Sequence, residues 1–400
     1  MGSICHIAKL PVELLELIFN HLIVATRQDP LVLCDVCLLW HTIIGQRPRY
    51  WRTLLLRSTT TLPKMEQRIK LAGKDIRRLF VYGMQSEKFI GLASTLRPAL
   101  ENVNEVYFEA SYLRFYHLYN ALSLQCSPRI LTLQGVQNGG QPTGIPLRMS
   151  MMSNKLTELY ISSFNPDWST FLGLTPFLKV LHVSDGGLPP HFMLTKVVIR
   201  LPRLETLFLD GAIMPSNRLR QKLPNPLPAV LPSVRELEVR LRPETMGSTI
   251  YWLSAPAQAR QLQCLRLEGC RLRWLRNLLT PLVPPLVQLY LHFPRDELDA
   301  QDLPVHLGRT LERFAFTDTP MQLDSLVPLL VASEKLQWLN LSRTSVDNDI
   351  LRRFLVPRGV GGENAITTLI VHGCQRLGMD ASACVQGYVI TLEVEAPSSP

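Results

Sequence analysis

Four hundred residues exceed one ordinary compact domain, and 46% hydrophobic with 19% charged residues is the composition of a chain that buries a large core, which excludes intrinsic disorder. A formal charge of +9 and a pI near 9.2 would suit a nucleic-acid or membrane-surface binder only if the basic residues were gathered in one patch. They are mostly scattered, and the denser groupings, Lys64, Arg68, Lys70, Lys74, Arg77 and Arg78 and then Arg266, Arg271, Arg273 and Arg276, bring no nucleic-acid-binding motif, so no nucleic-acid partner is expected.

Eight cysteines, irregularly spaced, do not form the dense framework of a small secreted domain and read as reduced thiols. The N-terminus has no long apolar run after a basic segment, and no stretch approaches the roughly 18 unbroken apolar residues of a membrane span. The expectation is a protein of the cytoplasm or nucleus, with no membrane partner.

The first element in the chain is an amphipathic helix. Leu10, Leu14, Leu15, Ile18, Phe19 and Leu22 recur at three-to-four spacing along one stripe, while Glu13, Glu16 and Asn20 fall elsewhere. Pro11 suits the first helical position, where its missing amide proton has no partner, and Glu13 and Glu16 favour the positive end of the helix dipole. A second start, Asp29-Pro30, opens a stripe of Leu33, Val36, Cys37, Trp40 and Ile44 that runs toward Gly45 before Pro48 prevents its continuation. Helices this few bury little surface by themselves, so an exposed apolar stripe here is expected to be a docking face. Cys34, Cys37 and His41 are metal-ligating types. They lack a second ligand pair nearby, and both thiols fall on the predicted helix beside Trp40, so they are read as small apolar residues and no metal is expected.

Taken in order, Leu10-Pro11-x-Glu13-Leu14-Leu15, Ile18-Phe19, Val36-Cys37-x-x-Trp40 and Pro48-x-x-Trp51 resemble the F-box family. The resemblance covers Leu10 to Trp51 and no single piece of it is specific. It implies a helical module that binds a Skp-type adaptor and, through it, a cullin. Adaptor contacts would run through Leu10, Pro11, Leu14, Leu15, Ile18, Val36, Cys37 and Trp40, each of which also has an open role in the module's own core. Leu38 departs from the family's commonest form, where a basic residue often follows the cysteine.

Leu55 to Met65 reads as the join between this module and a second one. From there the phrase L-x-x-L-x-L recurs, clearest at Leu156 to Ile161, Leu204 to Leu209, Leu262 to Leu267, Leu286 to Leu291 and Leu336 to Leu341. Its fourth position aligns Leu79, Val106, Leu131, Leu159, Leu181, Leu207, Leu237, Leu265, Leu289, Phe314, Leu339, Leu369 and Leu392 at intervals of 22 to 30 residues. This is the signature of leucine-rich repeats, each a short strand with leucines inward and a return over the convex side. Phe89 to Leu100, Phe115 to Leu124, Asp324 to Leu330 and Asp349 to Leu355 have the apolar content of returning helices. Gly269-Cys270 and Gly373-Cys374 suit the turn leaving the strand, the proline-rich Pro215 to Pro232 reads as an inserted basic loop, and 396–400 as a disordered tail.

The expected fold is therefore α/β: an F-box over 7–56, then a leucine-rich-repeat solenoid with a concave parallel sheet over 57–395. On each strand the residues between the inward leucines face the concave surface. Tyr160, His182, Phe208, Glu238, Arg266, Tyr290, Asn340 and Ile370 share that place, with His292 and Trp338 on the same face, and Phe208, Arg266 and Tyr290 are the residue types expected to bind a target protein. No P-loop, G-x-S-x-G, H-E-x-x-H or paired zinc knuckle is present, so neither catalytic residues nor a cofactor is expected. Two functions fit: a substrate-recognition adaptor of an SCF-type ubiquitin ligase, or a repeat scaffold or inhibitor without a ubiquitin role.

Overall fold

The computed structural model of the protein describes residues 10–25, 28–73, 75–83, 95–96, 99–110, 127–135, 155–163, 177–188, 201–213, 233–241, 261–269, 286–292, 303–319, 323–359, 365–378 and 380–394. The chain divides into two units, Met1–Phe164 and Asn165–Pro400. In the first, α1 (Val12–Phe19) passes into a π-helical turn (Asn20–Ala25), followed by α2 (Pro30–Cys34), α3 (Leu38–Gly45) and a 3-10 turn (Pro48–Trp51). Then come β1 (Thr53–Arg57), α4 (Leu62–Ala72), β2 (Arg78–Tyr82), β3 (Glu105–Ala110), β4 (Ile130–Gly135) and β5 (Glu158–Ser162). The second unit holds β6 (Val180–Leu188), β7 (Thr206–Ile213), β8 (Glu236–Leu241), β9 (Cys264–Glu268), β10 (Gln288–His292) and β11 (Arg313–Thr317). It continues with α5 (Val327–Ala332), β12 (Trp338–Asn340), α6 (Asn348–Leu355), β13 (Ile366–Ile370), α7 (Ala381–Val385) and β14 (Val389–Glu393).

Within each unit every strand pairs in parallel with the next in sequence, β1 through β5 and β6 through β14. The register follows the leucine phrase. Leu54, Leu79, Val106, Leu131 and Leu159 lie side by side in the first unit, and Leu181, Leu207, Leu237, Leu265, Leu289, Phe314, Leu339, Leu369 and Leu392 in the second. All but Leu392, on the last strand, are buried. A second buried row runs two residues further on, through Leu56, Val81, Phe108, Leu133 and Ile161 and through Val183, Leu209, Val239, Leu267, Leu291 and Phe316. With a period of two along each strand, both rows fall on one sheet face and the residues between them on the other. The fold is a mixed α/β stack of leucine-rich repeats.

The turn that leaves the strand is as regular as the leucines. Gly83, Ser163, Gly269, Asp318, Arg343 and Gly373 occupy the same place after their strands, all with φ between 54 and 70°. Gly269 donates its amide to the His292 carbonyl at 3.0 Å, and Arg343 to that of His372 at 2.7 Å, so the turn extends the ladder to the next repeat. Glycine occupies this left-handed conformation without the ~1–2 kcal/mol that a Cβ costs there. Beside Gly373, the buried Cys374 thiol donates to the Leu341 carbonyl at 3.2 Å.

The structure revises four local expectations. Pro11 is the residue before α1, not its first helical position; it is extended (φ −54°, ψ 147°) and its carbonyl accepts from Leu14 and Leu15, both at 3.1 Å. The single helix expected from Asp29 to Gly45 is two, because Cys37 is extended at φ −164° and ψ 165°. The break directs Trp40 inward against Phe19, ring centroids 4.9 Å apart, while Val36 remains at the surface. The segment expected to be a join is β1 and the start of α4: Leu54, Leu55 and Leu56 are all buried and β1 pairs with β2, so the ladder begins before the 56/57 boundary. The return over Asp324 to Leu330 is a 3-10 turn (Leu323–Leu326) running into α5, whereas that over Asp349 to Leu355 is α6, capped by Asp347, which accepts from the Ile350 amide at 2.8 Å. The segments Phe115 to Leu124, Pro215 to Pro232 and 396–400 lie outside the described residues, as does most of Phe89 to Leu100.

Gly308 shows how closely the returns pack. A Cβ at this position would lie 2.8 Å from the Ala332 carbonyl carbon and 2.9 Å from both the Leu329 oxygen and the Ser333 nitrogen, all backbone atoms of α5 and its end. Gly308→Ala is expected to lower stability by about 1–3 kcal/mol, read as a shift of the denaturant midpoint at unchanged slope.

Candidate functional site

The N-terminal helices sort the apolar stripe into two sets. Leu15 and Phe19 are fully buried, and Trp40 is 8% exposed. Phe19 is held edge-on between Trp40 and Tyr50, the Tyr50 centroid 6.2 Å away. Trp51 closes this core, its indole donating to the Ile44 carbonyl at 3.0 Å. On the outside lie Leu14 at 46% exposure, Ile18 at 36% and Val36 at 55%, with Pro11 exposed and Leu10 and Cys37 half-buried. Of the eight side chains expected to meet an adaptor, Leu15 and Trp40 thus belong to the core and the other six reach the surface. The sequence reading missed Val12, Leu17, Val32 and Leu39, all of which are exposed, and Leu38, noted there as a departure from the family's commonest form, is 81% exposed. The break at Cys37, invisible in the periodicity, is what turns Leu38 outward.

Glu16, expected to serve the helix dipole, instead ties α1 to the end of the module. Its carboxylate pairs with Arg47 at 2.9 Å and Arg49 at 2.7 Å, and its carbonyl accepts from the Tyr50 hydroxyl at 3.2 Å. Asp29 has a double role. One carboxylate oxygen caps α2 by accepting from the Leu31 amide at 3.1 Å, and the other pairs with Arg68 of α4. Arg68 is 7% exposed and also donates to the Leu55 carbonyl of β1. One guanidinium therefore fastens the helical module to the first repeat. Burial, with the charges of Asp35 and Asp29, pushes the Cys34 thiol up to about 11. Among the described residues no group of three or more His, Cys, Asp and Glu is placed to hold a metal ion, and no helix is long and apolar enough to cross a membrane.

On the repeats of the second unit, the row between the leucines is in register: His182, Phe208, Glu238, Arg266, Tyr290, Ala315, Asn340 and Ile370. Two of the three expected target-binding residues meet, the Arg266 guanidinium lying 4.5 Å from the Tyr290 ring centroid. Phe208 stands apart from them. It stacks on His182 at 3.8 Å, with the Arg240 guanidinium 5.4 Å from its ring, and burial, partly opposed by Glu238, lowers the pKa of His182. Tyr160 belongs to the first unit, where its hydroxyl donates to Glu158 at 3.1 Å.

Charges on this face are paired within and between strands. Glu238 pairs with Arg240 at 2.6 Å and faces Arg266 at 3.7 Å, while Asp318 pairs with His292 at 3.0 Å and with Arg343 at 2.5 Å. An opening of about 210 Å³ lies over β8 to β12, with Tyr290, Trp338 and Ala315 among its lining residues. The alternation of residues along the strands located Tyr290 and Trp338, but the sequence reading passed over Ala315 and the ion pairs around it.

No family model and no curated protein matches this chain. Among solved structures it is similar to a TLR13–ssRNA13 complex, with a TM-score of 0.49 and 14% identity over 84% of this chain and 44% of that one. The chain thus spans less than half of that neighbour. It is also similar to an internalin of Listeria monocytogenes, at a TM-score of 0.39 and 12% identity over 88% and 84% of the two chains. A third is the Rad7 and Elc1 complex in yeast, at a TM-score of 0.38 and 12% identity over 95% and 92%. At these identities the likenesses concern fold alone, and the assignment of the repeats rests on the strand register.

Arg68→Ala is expected to cost about 3 kcal/mol in denaturant unfolding, since it leaves the Asp29 carboxylate and the Leu55 carbonyl without their shared partner. A cycle with Asp29→Ala is expected to show strong coupling, the double variant costing clearly less than the sum of the singles. The Cys34 thiol is expected to react with iodoacetamide at pH 8 about 100-fold more slowly than an exposed cysteine peptide, measured by mass spectrometry, because its thiolate forms only as the pH nears 11.

Proposed function

We propose that the chain is the substrate-recognition subunit of an SCF-type ubiquitin ligase, with an N-terminal F-box that docks a Skp-type adaptor, and through it a cullin, and repeats, from β1 onward, that capture a target protein. The observation that carries this reading is the exposed apolar surface of α1 to α3, with Leu14, Ile18 and Val36 outward on a module whose own core is already closed by Leu15, Phe19, Trp40 and Trp51. A stripe needed only for the core would be used up there. The Arg68 fastening supports the same reading, since a ligase subunit must hold its docking module at a fixed attitude to the first repeat. The protein carries out no chemistry itself, requires no cofactor, and works in the cytoplasm or nucleus on a target recognised by the sheet face of the repeats, Phe208, Arg266 and Tyr290 among the contacting residues.

The burial pattern selects the variants for the test. Leu15→Ala and Trp40→Ala would each remove about 2–5 kcal/mol of core packing and confound binding with folding. Leu14→Asp and Val36→Asp change exposed side chains. Each is expected to weaken binding to a purified Skp-type adaptor by at least about 100-fold while leaving the melting temperature unchanged. A wild-type chain that shows no affinity for the adaptor sinks the ligase reading in favour of a repeat scaffold or inhibitor.

A further inference from the structure

The strand β14 has one open edge. It pairs with β13 on one side, and among the described residues no strand pairs with the other. On β1, Leu54, Leu55 and Leu56 are all buried. On β14, Ile390 is 74% exposed, Val394 just after it 51%, and Leu392, the last member of the leucine row, only half-buried. The outermost repeat of a soluble stack ordinarily carries a polar outer face. This one keeps the apolar phrase, and Val389–Glu393 contains neither lysine nor proline, the residues that blunt a strand edge.

Alternation along the strand sets what the edge offers. Tyr388, Ile390, Leu392 and Val394 have one parity and fall on the face of the leucine row, with Thr391 and Glu393 on the other. The Glu393 carbonyl accepts from the Val371 amide at 3.0 Å. Glu393, and Thr391 two residues before it, therefore turn their backbone groups toward β13, while Leu392 between them turns its own outward.

This edge is complementary to itself. Laid antiparallel against a second β14 about a two-fold axis through Thr391, the strand sets Ile390 against Leu392 of the other copy and Val394 against Tyr388, and symmetry repeats both contacts. Thr391 meets its own symmetry mate as a non-hydrogen-bonded pair, the closer kind, ~4.5 Å between Cα atoms. Glu393, the one charge on the strand, faces Val389 and stays well away from the other Glu393. Moving the axis one residue to Leu392 sets the two Glu393 carboxylates diagonally together, so charge selects the first register. A strand of any other sequence satisfies the same backbone groups but has no reason to match these side chains.

We propose that β14 is a self-association edge, at which two copies of the chain join their sheets antiparallel through residues 388–394. One strand from each copy is a small interface, so the dimer is weak, with a Kd on the order of 10 µM. The proposal stands apart from the ligase reading and needs no adaptor or target.

Sedimentation velocity of the full chain between about 1 and 100 µM is expected to show a monomer passing into a dimer. Ile390→Lys and Val394→Lys each set a charge against an apolar residue of the other copy. Both are expected to weaken association by at least about ten-fold at unchanged melting temperature, since both side chains are exposed. Thr391→Cys tests the register. Under mild oxidation it is expected to form a disulfide with its own symmetry mate, identified by mass spectrometry, whereas Glu393→Cys, opposite Val389, is not. A chain that stays monomeric at about 100 µM, a dimer indifferent to both lysine variants, or cross-linking no greater at 391 than at 393 overturns the proposal. A monomer that instead takes up an extended peptide along β14 overturns it in favour of strand addition by another protein.

Discussion

A single repeat of this chain cannot bury its own apolar edge, and the rest of the structure depends on that. Leu265 is dry only because Leu237 and Leu289 lie in register on either side of it. The parallel ladder locks the register, and the left-handed turn carries the ladder beyond the end of the strand, as the Gly269 and Arg343 amides show. A slip of one residue along any strand would put its leucines on the solvent face. Once the leucines are fixed, the opposite face has no freedom left: whatever stands between two leucines stands beside its counterparts in the neighbouring repeats. The contact of Arg266 with Tyr290 follows from register before any affinity between them is considered.

That constraint separates what was legible in the sequence from what was not. The aligned positions from Leu79 to Leu392 are the positions that pair, because spacing and side-chain type both report the strand. The first strand escaped notice because Leu54, Leu55 and Leu56 form an unbroken apolar run, which lacks the alternation that marks a half-buried strand. Gly269 and Gly373 announced their turns, whereas Ser163, Asp318 and Arg343 take the same conformation with no residue signal, imposed by the repeats on either side. Helical periodicity across Leu33 to Ile44 concealed the break at Cys37, since the three residues between the short helices, Asp35 to Cys37, are close to one helical turn and leave the phase nearly unchanged. Pairing partners such as Arg68 with Asp29, 39 residues apart, carry no local signature at all.

The sheet face shows how a surface is varied in such a stack. Changing one residue in a register row alters one point of a lattice while the leucine rows keep the fold. Ala315 is such a point: its strand carries Phe314 and Phe316 on the buried face, both fully enclosed, so the core of that repeat is among the bulkiest just where its outer face is smallest. Large residues below and a small one above leave the strand well anchored, while Tyr290 and Trp338 of the flanking strands meet, ring centroids 5.9 Å apart.

The N-terminal helices pose the opposite problem, a small element with more apolar side chains than its core can use. Leu14 and Leu15 are neighbours in sequence, yet one is 46% exposed and the other fully buried. Adjacent helical residues point about 100° apart, so leucines at both positions widen the apolar stripe beyond what the Phe19, Trp40 and Tyr50 cluster can cover. Isolated exposed apolar residues need no explanation, but here Val12, Leu14, Leu17 and Ile18 share one eight-residue helix and Leu38 follows at 81% exposure. Such a surface favours association whenever a complementary face is present. The Glu16 pairs with Arg47 and Arg49 and the Asp29 pair with Arg68 fix the helices that carry it, so the surface is held ready without a partner and binding need not bear the cost of assembling it.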